Sequence, residues 1–223
     1  MQLAQYIDHT ILKPTTTLGE IETICDEAAK YKFYSVCIPP YFVKDARLIL
    51  EREKVKVATV IGFPFGYNQT NAKVNEVKLA ISDGAHEVDM VMNMAAFKSN
   101  DLAYLENEIR KVTRITVENN VVLKLIIESG ILVEPEIIRC CDIFKHFSID
   151  FLKTSTGYAE KGASVEAVQI MRKHLPDHIQ IKASGGIRTY EFAKQLVEAG
   201  ASRLGCSASI AIVNSQPSDD TGY

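Results

Sequence analysis

The sequence predicts a single α/β domain folded as a closed (β/α)8 barrel, and three observations predict it. Eight short runs rich in Val and Ile recur at 6–12, 33–38, 55–63, 87–93, 121–129, 150–155, 179–184 and 202–207. Between them lie amphipathic stretches at 17–31, 41–53, 70–84, 101–119, 134–147, 164–175 and 189–200. No linker breaks the alternation before residue 213. Strands that alternate with helices build a parallel sheet, either closed into a barrel or open and doubly wound. The count of eight favours closure. No G-x-G-x-x-G follows the first strand, which weighs against an open dinucleotide-binding sheet.

Each element has its own justification. Several apolar runs lack strict polar alternation, as strands buried on both faces do. The stretch 17–31 carries Leu18, Ile21, Ile24 and Ala28 at helical spacing. Asp101 and Thr189 read as N-caps, and Gly84 and Gly200 as glycines just past helix ends. The short connections "DGAHEVD", "SIDFLK" and "AGASRLG" read as turns from helix back to strand. Residues 214–223, "NSQPSDDTGY", are polar with little to bury, and read as a flexible tail after a domain spanning 1–213.

Composition narrows the function classes. The 223 residues suffice for one large domain without staples. A net charge of −3 gives no field to attract nucleic acid or an anionic membrane surface. The five cysteines are odd in number and form no C-x-x-C pair, which points to a reducing cytoplasm rather than a disulfide framework. No signal peptide or membrane-length apolar run is visible. H-E-x-x-H, Walker A and G-x-S-x-G patterns are absent. Pro176 separates His174 from His178, so they do not share a helix face for a metal.

In a barrel, chemistry sits where strands end and loops toward the next helix begin. The polar residues there include Asp8, Thr10, Cys37, Thr59, Asp89, Asn93, Lys124, Glu128, Lys153, Thr154, Ser155, Lys182, Ser184 and Ser207. Each such group left unpaired costs roughly 1–3 kcal/mol, so the set calls for a use. Lys153 and Lys182 end the sixth and seventh strands, side by side. Burial and a neighbouring cation both lower a lysine's pKa, which makes an amine nucleophilic enough to form a Schiff base near neutral pH. The pattern alone does not say which lysine is the nucleophile. Asp89, flanked by apolar residues, reads equally as a proton carrier and as an ion-pair partner of Lys124 or Lys182. Lys124 and Glu128, four apart on one strand, are expected to take part in a buried bridge. Gly157, Gly185 and Gly186, with Ser207 and Ser209 after the eighth strand, offer bare backbone for an anion. His9 reads as a structural histidine.

Together "IDHTILKP", "SVCIPP", "VATVIGFPFG", "EVDMVMN", "LKLIIESG", "DFLKTSTG" and "IKASGGIRT" resemble, in this order, the deoxyribose-phosphate aldolase family over residues 6–213. The resemblance implies a class I, metal-independent aldolase on a TIM barrel with no cofactor. Its expected reaction interconverts 2-deoxy-D-ribose 5-phosphate with D-glyceraldehyde 3-phosphate and acetaldehyde, in deoxynucleoside catabolism. It assigns the Schiff base to Lys153, pKa perturbation and proton transfer to Lys182, and a proton relay to Asp89. Asp8 and Thr10 are expected in the hydrogen-bond network around the substrate, and Cys37 and Thr154 beside it. Gly157, Gly185, Gly186 and Ser207 fall where the family binds phosphate. A cytoplasmic homodimer is expected. Two alternatives stand beside this reading: a transaldolase-like enzyme, and a sugar-phosphate sensor without turnover.

Three departures from the pattern bear on the site. Tyr158 stands where some relatives place a phosphate-facing lysine, so that charge must come from elsewhere. "NMAAFK" at 93–98 replaces smaller residues and could reshape the mouth. Tyr223 ends the chain, as a tyrosine ends some relatives, and could reach the active site.

Overall fold

In a computed structural model, which describes residues 3–215, eight parallel strands close into a barrel in sequence order. They are β1 (Ile7–Thr10), β2 (Ser35–Ile38), β3 (Lys56–Ile61), β4 (Glu87–Val91), β5 (Val122–Ile126), β6 (Phe151–Lys153), β7 (Gln180–Ser184) and β8 (Arg203–Cys206). β1 pairs with both β2 and β8, which completes the closure. All eight expected strands form, each shorter than the expected run. The trimming is largest in β5, which ends at Ile126, and β6 keeps only three residues because the chain turns into its loop directly after Lys153.

Eight helices among the described residues fill the crossovers and a ninth follows β8: α1 (Leu18–Tyr31), α2 (Val43–Ile49), α3 (Thr70–Ser82), α4 (Met94–Lys98), α5 (Leu102–Glu118), α6 (Glu134–Phe144), α7 (Val165–His174), α8 (Tyr190–Glu198) and α9 (Ser209–Val213). Local signals set their ends. Thr17 and Glu20 form a reciprocal capping box at α1, worth about 1 kcal/mol for the cap. Asp101 and Thr189 accept from the backbone N–H three residues on, as their sequence positions predict. Gly84 and Gly200 follow α3 and α8 at φ of +97° and +118°, a region open to glycine at little cost. α2 is shorter than expected, since Pro39 and Pro40 open a 3-10 turn before it. The "NMAAFK" segment folds as α4, capped by Asn93 and anchored by buried Phe97.

Successive residues of a strand face opposite sides, and here the two sides differ in chemistry. Val36, Val57, Val88, Met90, Leu123, Leu125, Leu152, Ile181 and Leu204 join one apolar shell with the helices. Burying each of the larger of these side chains is worth roughly 1.5–3 kcal/mol. The alternate residues Asp8, Glu87, Asp89, Lys124, Lys153, Lys182 and Arg203 meet one another across the barrel axis. The strands are buried on both faces, as expected, but the inner face is charged. A small apolar group of Leu12, Cys37, Ala58 and Val60 lines the remaining arc. None of the described helices is long and apolar enough to cross a membrane.

Candidate active site

The registers of β6, β7 and β8 place Lys153 beside Lys182 and Lys182 beside Arg203. Asp89 comes from β4, across the interior. Its Oδ2 accepts from Lys153 Nζ and Lys182 Nζ, both at 2.7 Å, and its Oδ1 accepts from Lys124 Nζ at 2.7 Å. Asp8 accepts from Lys182 on Oδ2, and from Ser35 Oγ (2.6 Å) and Arg203 Nη1 (2.8 Å) on Oδ1. Glu87 completes the floor, 2.5 Å from Lys124 and 2.9 Å from Arg203. Asp89 therefore serves as the ion-pair partner of both lysines that its sequence position allowed, and it also touches Lys153.

This geometry separates the lysines. Burial lowers the Lys153 amine, Asp89 pushes it up and Lys182 pushes it down, and the balance falls below the ordinary lysine value. Burial also works against charge on Lys182, but Asp8 and Asp89 outweigh it and hold its pKa well above the ordinary value. Burial alone would raise the Asp89 carboxyl, yet Lys124, Lys153 and Lys182 hold it well below the usual carboxylate range. The site thus joins an amine of lowered pKa and an ammonium through one carboxylate. That is the equipment for attack on a carbonyl with proton transfer alongside.

At the loops that follow β6, β7 and β8, a cavity of about 270 Å³ is lined by Gly157, Gly185, Gly186, Arg188 and Ser207, among others. Gly157, Gly185 and Gly186 all have positive φ, a region that favours glycine, so they line it with no side chain. Gly162 abuts the Gly185 carbonyl so closely that a Cβ would sit 2.2 Å from that oxygen. The two loops therefore lock together through backbone.

Other expected residues play other parts. Thr10 Oγ1 donates to the Asp8 carbonyl at 2.8 Å. Thr154 Oγ1 accepts from Ser184 N at 3.1 Å and so ties β6 to β7. Cys37 is buried among Lys182, Asp89 and Lys153, and burial chiefly raises its thiol pKa. His9 binds Glu27 at 2.8 Å and Ser209 at 2.9 Å, a structural role. Tyr158 Oη donates to the Leu12 carbonyl at 2.8 Å, and its ring meets Phe63 edge-on. Tyr223 lies outside the described residues.

The expected bridge between Lys124 and Glu128 is corrected. β5 ends at Ile126, so the pleat that would align them stops short. Glu128 turns at φ +50° and accepts from Thr156 N (3.1 Å) and Oγ1 (2.5 Å) instead. Sequence reading missed Glu87, Arg203 and Arg188. The first two stand two positions before Asp89 and Gly205, on the same pleat, and Arg188 follows the glycine pair. Among the described residues, no group of three or more His, Cys, Asp or Glu could hold a metal ion.

Known proteins share this arrangement's sequence and fold. The family model for DeoC/LacD family aldolases matches residues 2–212. A deoxyribose-phosphate aldolase of Mycoplasmopsis pulmonis is 47% identical over 216 residues, covering 97% of each chain. The solved structure of an aldolase, QR15, superposes with a TM-score of 0.91 at 41% identity, covering 96% of this chain and 95% of that one. A tetrameric deoxyribose phosphate aldolase from Aeropyrum pernix superposes with a TM-score of 0.89 at 28% identity, covering 96% and 90%. With the family model matching residues 2–212 and relatives 47% identical over nearly the whole chain, this chain belongs to the DeoC/LacD family of aldolases.

Proposed function

We propose that this chain cleaves 2-deoxy-D-ribose 5-phosphate reversibly to D-glyceraldehyde 3-phosphate and acetaldehyde, through a Schiff base on Lys153. The observation that carries the reading is the contact of Lys153 and Lys182 with one oxygen of Asp89, on strands whose following loops line a glycine-rich cavity. Neutral Lys153 attacks the aldehyde carbon, and loss of water gives an iminium. The hydroxyl on the third carbon gives up its proton, and the bond between the second and third carbons breaks into the electron-poor iminium. Glyceraldehyde 3-phosphate leaves. The remaining enamine takes a proton on carbon, and water then releases acetaldehyde and restores the amine. Asp89 and Lys182 carry these protons through water, while Asp8 holds Lys182 in place.

The phosphate sits against Gly157, Gly185, Gly186 and Ser207. Arg188 brings the positive charge that Tyr158 does not. The chain works as a homo-oligomer, a dimer in this reading, in the cytoplasmic breakdown of deoxynucleosides. The test is release of glyceraldehyde 3-phosphate, followed by a coupled NADH-consuming assay. Turnover is expected in the intact protein and a loss of at least about a thousandfold in Lys153→Ala, as for removal of a covalent nucleophile. Absence of turnover in the intact protein would refute the reading.

A further inference from the structure

Among the described residues, seven side chains form one ion-paired network in the barrel interior, and its charges can be counted. Asp8, Glu87 and Asp89 supply three carboxylates, against four bases from Lys124, Lys153, Lys182 and Arg203. All seven are buried. An uncompensated charge at such depth is costly, so one base must give up its proton. Arginine does not. Among the described residues, Lys182 ion-pairs with Asp8 and Asp89, and Lys124 with Asp8, Glu87 and Asp89, whereas Lys153 ion-pairs with Asp89 alone. With Lys153 neutral, three cations face three carboxylates.

We propose that Arg203, set on the floor of the barrel, is the fixed cation whose charge obliges Lys153 to be the free amine. The inference rests on the reading of Lys153 as the nucleophile and deepens it. Arg203 is a positioning residue that acts through Asp8 and Glu87. Its Nη1 donates to Asp8 at 2.8 Å and to Glu87 at 2.9 Å. The guanidinium lies 3.5 Å from the centre of the Tyr34 ring and 5.1 Å from that of Phe151, which fixes it in the floor. Removing this charge leaves the cluster one positive charge short, and Lys153 is the base free to take up a proton. Two other groups face Lys153. Cys37, on β2, is kept a neutral thiol chiefly by burial. Glu128, past the end of β5, is held by Thr156, and burial raises its pKa. Both remain unchanged in the variants below.

The test compares Arg203→Met, Arg203→Lys, Glu87→Gln and the double variant Arg203→Met/Glu87→Gln. Two readouts are used: the pH profile of kcat/KM for deoxyribose 5-phosphate, and direct titration of Lys153 by carbon NMR of labelled lysine Cε, assigned with Lys153→Arg. In Arg203→Met the Lys153 titration moves alkaline by about one pH unit, the order expected when a unit charge leaves a buried cluster several ångströms away. Arg203→Lys keeps the wild-type titration even if kcat falls. Glu87→Gln moves it to acid pH, and the double variant returns it toward wild type. Equal shifts in Arg203→Met and Arg203→Lys, or a titration that stays fixed in all four, would overturn the proposal. If Arg203→Met does not fold, an unshifted Glu87→Gln still overturns it. The NMR titration reads Lys153 whether or not the sugar phosphate turns over. Shifted titration in an inactive protein upholds the charge inference and sinks the activity reading.

Discussion

Replacing Lys73 with methionine tests how the wall behind Asp89 is held. Lys73 lies on α3, fully buried, and its Nζ donates to the Val91 carbonyl at 2.8 Å and to Glu108 Oε2 at 2.9 Å. Val91 ends β4, two residues past Asp89, so the lysine pins the strand that carries the carboxylate. Gly62 leaves room for it, since a Cβ there would lie 2.9 Å from Lys73 Cε. Met fills most of the volume but supplies no charge. Glu108 is then left buried without its cation, a loss of about 3–5 kcal/mol, and the orphaned carbonyl adds about 1 kcal/mol. Lys73→Met/Glu108→Leu removes both charges and is expected to recover at least half of that, because an apolar pair can replace a buried ion pair at little cost. Urea unfolding followed by circular dichroism measures both. A single variant that loses less than about 1 kcal/mol, or a double variant no better than the single, would refute the reasoning.

Three further outcomes follow from the geometry. Arg188→Ala should weaken deoxyribose 5-phosphate by about 10- to 100-fold in kcat/KM, the size of one charge-assisted contact, and leave unphosphorylated deoxyribose nearly unchanged; paired steady-state assays check the split. Gly162→Ala drives a Cβ against the Gly185 carbonyl and should cost about 1–3 kcal/mol while raising KM for the phosphorylated sugar; Gly186→Ala, which meets no neighbour and bears only the strain of φ +75°, should cost about 1 kcal/mol. The third concerns pH. Lys153 binds its proton less readily folded than unfolded. Between its folded pKa and about 10.5 the unfolded chain therefore holds the extra proton, and stability rises with pH by up to about 1.4 kcal/mol per unit. The difference in unfolding free energy between wild type and Lys153→Met across that window should show this slope, and a flat difference would contradict the depressed amine. Asp89 acts in the opposite range: its contribution is present above about 3.8 and is lost as pH falls below that value.

The barrel was legible because its signals are local. Eight β-rich runs separated by helical periods leave few topologies, and caps such as Asp101 and Thr189 announce themselves within three residues. Lys153, Lys182 and Asp89 were visible because charged residues inside apolar runs need partners. The partners themselves were harder to read. Glu87 and Arg203 lie at strand starts, where a search confined to strand ends does not look, yet E-V-D-M and R-L-G-C carry the period of two that places both inside. The Lys124–Glu128 bridge failed for a related reason, since four-residue spacing aligns side chains only while the strand continues. Which lysine has the lowered pKa could not be read from β6 and β7 alone. It depends on how many carboxylates each meets, and those come from β1 and β4, far away in sequence.

The central claim is that Lys153 forms the Schiff base. The most direct measurement is borohydride reduction of the protein with deoxyribose 5-phosphate or acetaldehyde, with the adduct mapped by peptide mass spectrometry. A reduced adduct on Lys153, absent from Lys153→Ala, is expected. An adduct on Lys182 instead, or turnover with no lysine adduct at all, would contradict it.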